Sequence, residues 1–492
     1  MPEFIYCPCQ VPDCKNEVIK YSGYCNWYMR VYCLPHRKDA VHECKAFPKS
    51  LDRKALLPEL RKIRRRAELE FIKKLLDQIH ASKDYFIREA ESLRIGHTCQ
   101  LDILDDVEVF RESTRLGSFN IHIPILFDDG VKWLIRIRRD SVTIPDPEIN
   151  NAIIESEVAT MRVLKTQGMP VPQGFLPPHH GQSDGPNERE PPFSYSFCEF
   201  MEGRPYNVLQ TGSLNLPEDD LYRFIDNYAK VQIRLSEIKL PFTQIGRIYF
   251  RDLSHGDYTS MIARPPHFEG PFSTNKERYL ARIDAALELI HLGALRPTNK
   301  ALDNYLWHLE MRELVRASTK LAERPQELFI KPDDEKGDHM MIDESGKISG
   351  VIDWEWAHVT TKAEAFTPHW IFSFAYGGPN KMTENENKLI EAYKRHNRPD
   401  LAECVKTGRF YHRLGSIGYF YQVLKKEAHR AVFGKDIPKN FRPPPEDVDW
   451  RVYMMNRYKD DEGLKKNMSK HKWTLERAER EAQAVKQAVN DG

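Results

Sequence analysis

An α+β chain is the fold class that these 492 residues predict, with a small metal-held module in front of a strand-rich segment and a larger helical one. Three observations carry it. Six of the nine cysteines crowd into the first 44 residues. Near residue 101 the apolar spacing changes from helical to alternating. Past Gly203 it is mostly helical again, interrupted between Leu328 and Asp353 by short apolar runs separated by polar turns.

In residues 1–50, Cys7, Cys9, Cys14, Cys25, Cys33 and Cys44 stand with His36 and His42. The chain opens Met1-Pro2-Glu3, with no basic stretch running into an apolar one, so clustered thiols point to metal rather than to disulfides. Residues 51–100 read as a basic amphipathic helical linker, apolar at Leu56, Leu57, Leu60 and Ile63 and again at Leu69, Ile72, Leu75, Leu76 and Ile79. Its run Arg61-Lys62-Ile63-Arg64-Arg65-Arg66 is flanked by Glu59, Glu68 and Glu70 and has no interleaved aromatic residue. That marks a solvated helix face rather than a nucleic-acid surface.

Residues 101–205 form the strand-rich segment. Phe119 to Phe127 and Val131 to Ile137 read as a hairpin about Asp128-Asp129-Gly130. A helix over 148–167 runs through Ile149, Ile153, Val158, Met161 and Leu164 and stops at Gly168, with Pro170 and Pro172 beyond. The Pro- and Gly-rich stretch 177–192 is a loop, and Phe193 to Cys198 a strand. Residues 206–455 hold the helical segment, and 456–492 a charged tail that is helical from Thr474 onward.

Lysine and arginine (73) all but cancel aspartate and glutamate (72), so the net charge of +1 gives no overall pull towards nucleic acid or membrane. No apolar run approaches the roughly 20 residues that a membrane span needs. The expected address is the cytoplasm, and the basic run leaves nuclear import open.

The chemistry concentrates in Ile330-Lys331-Pro332-Asp333-Asp334-Glu335-Lys336-Gly337-Asp338-His339 and in Gly350-Val351-Ile352-Asp353-Trp354-Glu355. A polar loop leads into a short strand, a glycine-containing turn and a second strand that ends in Asp353. Phosphoryl transfer needs a carboxylate to accept the proton of the attacking hydroxyl and ligands for the metal that bridges the nucleotide phosphates. Asp334 suits the first task and Asp353 the second. This stretch resembles the catalytic segment of the aminoglycoside phosphotransferase and choline kinase-like family, whose pattern is His-Gly-Asp, four residues, Asn, then a hairpin ending in Ile-Asp-Trp-Glu. The resemblance implies a bilobal protein-kinase-like fold, ATP as phosphoryl donor and Mg²⁺. It places Asp334 at the catalytic aspartate and Asp353 at the metal-binding one. Pro332 stands where the family has His, and His339 where it has the metal-binding Asn, with Asp338 beside it. An imidazole there is a departure, because Mg²⁺ prefers hard oxygen ligands.

The resemblance extends over about residues 105–400. It implies a phosphate loop at Gly117 and Ser118, a phosphate-directed cation at Arg136 in Trp133 to Arg138, and a helix carboxylate at Glu157 paired with it. It also implies an adenine-contacting hinge from Glu199 to Met201. By strand alternation Arg136 and Arg138 share a face with Leu134. Ile245 to Phe250 and Gly270 to Leu280 resemble fungal members of the family. His255-Gly256-Asp257 copies the catalytic tripeptide, but Ile262 takes the Asn position and no Asp-ended hairpin follows.

Cys33-x2-His36-x5-His42-x-Cys44 resembles the closing pattern of the AN-one-type zinc finger. The resemblance implies one zinc site from Cys9, Cys14, Cys33 and His36, with Cys7 an alternative to Cys9. A second takes Cys25, His42 and Cys44 and is one ligand short, since Tyr28 holds the fourth position. A segment so poor in aliphatic residues needs metal to fold. The finger suggests a protein partner. The whole chain reads as an ATP-dependent phosphotransferase acting on a hydroxyl of a small molecule, with a pseudokinase scaffold carrying a zinc-finger protein-interaction module as the rival.

Overall fold

The computed structural model describes residues 6–8, 14–15, 17–19, 24–25 and 30–31 and, from 53 on, all but 118, 140–146, 179–190, 207–217, 251–269, 293–299, 334–336, 338, 370, 374–378, 418–425 and 491–492. The chain divides into two compact units. One comprises residues 1–207, 247–268 and 332–357, the other 208–246, 269–331 and 358–492.

In the first unit, β1 (Tyr6–Pro8) pairs antiparallel with β2 (Glu17–Ile19), and β3 (Tyr24–Cys25) with β4 (Arg30–Val31). Of the expected zinc ligands, Cys9, Cys33, His36, His42 and Cys44 lie outside the described residues. Two helices follow, α1 (Arg53–Ala81) and α2 (Lys83–Leu93), then β5 (Cys99–Leu101) and the short α3 (Val107–Glu112). β6 (Asn120–Phe127) and β7 (Lys132–Arg138) make the expected hairpin, with Gly130 at φ +85° closing the turn. α4 (Pro147–Thr166) ends where Met169 N–H reaches Leu164 O and Gly168 N–H reaches Lys165 O, Gly168 taking φ +79°. This glycine-capped end satisfies carbonyls that the helix itself leaves open. β8 (Gly174–Phe175), β9 (Tyr195–Glu199) and β10 (Arg204–Pro205) complete the segment.

The antiparallel sheet has the order β5-β6-β7-β9-β8. Side chains alternate along each strand, so its two faces differ in kind. One face presents Ile121, Ile123, Ile125, Trp133, Ile135, Ile137 and Phe197 to Ile72, Leu75, Leu76, Ile79, Phe86 and Ala90 of α1 and α2 in one buried core. The apolar stripe expected between 69 and 79 is therefore a layer of this unit. Each large side chain so buried contributes about 1.5–3 kcal/mol. The other face carries Asn120, His122, Arg136, Arg138 and Ser196, and builds the site.

The second unit is mainly helical. α5 (Glu218–Glu237), α6 (Asn275–Leu292) and α7 (Ala301–Ala317) precede β11 (Phe329–Lys331). Next in the chain, β12 (Met340–Ile342) and β13 (Ile348–Val351) return to the first unit as a hairpin with β10 along its edge. β14 (His358–Thr360) pairs with β11 in the second unit, followed by α8 (Lys362–Ala365), α9 (Glu384–Arg395), α10 (Pro399–Thr407), α11 (Arg409–Leu414) and α12 (Lys426–Ala431). The charged tail forms α13 (Trp450–Arg457), α14 (Glu462–Lys470) and α15 (Leu475–Asn490), broken at Lys472 with φ +55°. Met454, Leu464 and Ala478 are fully buried in the core of this unit, so the tail is packed structure.

Candidate active site

Four short elements of the first unit place the site. The β12–β13 hairpin is formed by pairs such as Met340 with Val351, and its turn is closed by Asp343, whose Oδ1 accepts from Ser345 N and Lys347 N. Val351 N–H donates to Pro170 O beyond α4, and Ser349 Oγ to Glu202 O. At Gly350 a Cβ would come within 2.4 Å of Met201 Cε, so the Met201 side chain lies directly against the hairpin.

Asp353 follows directly, at φ +67°. A non-glycine residue in this left-handed region needs its surroundings to hold it there. Its carboxylate Oδ1 accepts from Arg136 Nη2 at 2.5 Å. The same Nη2 lies 3.4 Å from Glu157 Oε1 and 3.3 Å from Glu355 Oε2. Arg136 thus lies against Glu157 and Asp353 together. Arg138, the next residue on that strand face, places Nη1 2.5 Å from Glu355 Oε2 and donates to Asn120 Oδ1 at 3.2 Å. Asn120 Nδ2 in turn donates to Glu355 Oε2 at 3.1 Å.

Burial decides the electrostatics. Glu157 and Glu355 are each 2% exposed and Arg136 11%, whereas Asp353 is 28% exposed and is the accessible acid of the group. Burial raises the Glu157 carboxyl to about 7, although Arg136 opposes the rise. Burial also works against the charge of Arg136, but Glu157, Asp353 and Glu355 outweigh it and hold the guanidinium protonated well above its ordinary range. His122, opposite Arg136 in the register, is pushed down to about 4 by burial and then by Arg136, and stays neutral.

Gly117 accepts at its carbonyl from Arg139 Nη1 (2.7 Å) and donates its N–H to Asn120 O (2.9 Å), making a tight turn into β6. Ser118 lies outside the described residues. The Glu199 side chain is held by Lys165 Nζ at 2.7 Å and by Gln173 N at 2.9 Å. Asp334 and Asp338 lie outside the described residues, as does the tripeptide copy His255-Gly256-Asp257. His339 is described and buried. Gly337 N–H donates to its Nδ1 at 3.3 Å. A ring accepting at Nδ1 leaves Nε2 as its other polar atom.

The sequence reading assigned no role to Glu355, Arg138, Asn120 or His122. The hairpin register, set by the turn at 128–130, was the signal that could have paired Asn120 with Arg138 and His122 with Arg136.

Residues 132–396 match the phosphotransferase enzyme family, APH, more than half of the chain and including Arg136, Glu157, Asp334, Asp353 and Glu355. The chain belongs to this phosphotransferase family. Among solved structures it is similar to a macrolide 2′-phosphotransferase type I, at 18% identity over 71% of this chain and 95% of that one, TM-score 0.37. It is also similar to an ethanolamine kinase of Plasmodium vivax, at 16% identity over 74% and 82%, TM-score 0.39. A third is the amicoumacin kinase hAmiN, in complex with AMP-PNP, Ca²⁺ and its ligand, at 12% identity over 65% and 86%, TM-score 0.32. No curated protein matches significantly. The family assignment rests on the sequence match, and within the phosphotransferase segment the charged face of β7 and the hairpin that ends in Asp353 fall inside the matched residues.

Proposed function

We propose that the chain transfers the γ-phosphoryl group of ATP to a hydroxyl of a small molecule. The observation that carries this is the Arg136 guanidinium, held between Glu157 and Asp353 on the polar face of β7. Arg136 Nε is buried with no acceptor among the described residues. Buried donors without acceptors are costly, and phosphate oxygens are the acceptors that suit guanidinium groups. Asp353, an accessible hard-oxygen ligand, fits Mg²⁺, with His339 or Asp338 completing the metal shell. A bound Mg²⁺ supplies charge neutralisation along the phosphates. Asp334 accepts the proton of the acceptor hydroxyl, Arg136 orients the transferring group, and the backbone at Glu199 and Met201 receives the adenine.

A calorimetric titration of ATP with and without Mg²⁺ tests the reading. Magnesium-dependent binding, lost in Asp353→Asn, is expected, as is an Asp334→Ala variant that binds ATP but turns over no acceptor. A second reading is a pseudokinase scaffold that keeps the fold, favoured by Pro332 and His339, which stand where the family has His and the metal-binding Asn. Absence of ATP binding in either condition would select it. The finger is proposed to hold zinc through Cys9, Cys14, Cys33 and His36, and through Cys25, His42 and Cys44, and to bind a protein partner. At least one zinc per chain by elemental analysis is expected, and loss of one zinc after Cys14→Ser with Cys33→Ser would support the first ligand set.

A further inference from the structure

We propose that Glu355 and Arg138 are positioning residues, a second buried ion pair that holds Asp353 in the conformation in which it can take a metal. The inference rests on the phosphotransferase reading above. Its basis is the way the four residues from Asp353 to Trp356 are fastened.

Glu355 Oε2 receives Arg138 Nη1 at 2.5 Å, Asn120 Nδ2 at 3.1 Å and Arg136 Nη2 at 3.3 Å. Its backbone carbonyl accepts from Arg247 Nη1 at 2.9 Å. The Arg247 guanidinium also lies 5.3 Å from the centre of the Trp356 ring. Phe119, next to the Gly117-Ser118 turn, meets that ring edge-on at 6.3 Å. Trp354, directly after Asp353, donates its Nε1 back to Val351 O at 3.0 Å. Every residue after Asp353 in this short stretch is therefore tied down, and Asp353 itself stands at φ +67°. A backbone in that region persists where its neighbours over-determine it.

Glu355 is 2% exposed and Arg138 4%, so neither is placed to meet a nucleotide or a metal directly. Their effect runs through Asp353. The two arginines share three carboxylates, and Glu355 is the one that touches both. Without the Glu355 carboxylate, Asn120, Arg136 and Arg138 lose the acceptor that ties this segment to the sheet. Asp353 is then no longer held in the conformation in which it can take a metal.

The test compares wild type, Glu355→Gln and the double variant Arg138→Gln/Glu355→Gln. The readouts are Mn²⁺ affinity in the complex with a non-hydrolysable ATP analogue, by electron paramagnetic resonance, metal-free nucleotide affinity, by calorimetry, and Tm. Removing both charges together spares the double variant a lone buried ion, so it keeps a Tm near that of wild type even if the single variant does not fold. Both variants should bind Mn²⁺ about 10- to 100-fold more weakly, as expected for residues that orient a ligand, with metal-free nucleotide affinity changed by less than about twofold. Unchanged Mn²⁺ affinity in the double variant overturns the proposal. Parallel loss of metal-free nucleotide binding and Tm assigns the pair to stability alone and overturns it as well. A wild-type protein that binds no nucleotide removes the phosphotransferase reading itself, and the proposal with it.

Discussion

Glu157 shows how one buried side chain carries a pH signature. Its carboxyl is raised by burial from 4.5 to about 7, so the folded chain binds that proton more tightly than the unfolded chain. The stability this contributes is fully present below about 4.5 and is lost as the pH rises through about 7. Glu157→Gln, neutral throughout, should flatten the fall in Tm of wild type across this window, and the difference between the two melting profiles isolates the group. Arg136→Lys keeps the charge but loses the fork. It should lower phosphate affinity about tenfold or more, read as KM for ATP, because a point cation does not reproduce two-pronged contacts to phosphate.

At the scale of elements, the helical layer and the hairpins act on opposite faces of one sheet. Leu76→Ala in α1 empties space in a core that the site does not share, and should cost about 2–5 kcal/mol in urea unfolding while leaving ATP affinity unchanged. Much of this organisation was legible. The β6–β7 hairpin, the helix capped by Gly168, the shared face of Arg136 and Arg138 and the hairpin leading to Asp353 all follow from local spacing and turn chemistry. Two features were not. Amphipathic spacing in residues 51–95 declares a helix but not the surface it covers, since nothing local identifies a sheet formed 50 residues later. Glu355 lay in plain sight in the motif, yet its role depends on Asn120 and Arg138, more than 200 residues away in sequence.

For the whole molecule, the two units have separate cores, and each needs parts of the chain that are distant in sequence. The tail belongs to the second. Arg312 pairs with Asp461 at 3.0 Å, and Leu464 is fully buried beside α7. Truncation after Arg457 should therefore cost at least the ~2–5 kcal/mol of deleting one buried leucine, read as a lower Tm with increased binding of an apolar dye. Among the described residues no helix is long and apolar enough to cross a membrane.

The alternation along β7 also governs what the gene can absorb. Codons 133, 135 and 137 specify bulk for a greasy interior, where one apolar residue of similar size can stand in for another. Codons 136 and 138 specify charge at fixed points in a network, where a shift of one methylene or one nitrogen has no substitute. In a saturation library selected for activity, this strand should read as two interleaved messages, one permissive and one nearly invariant, alternating residue by residue.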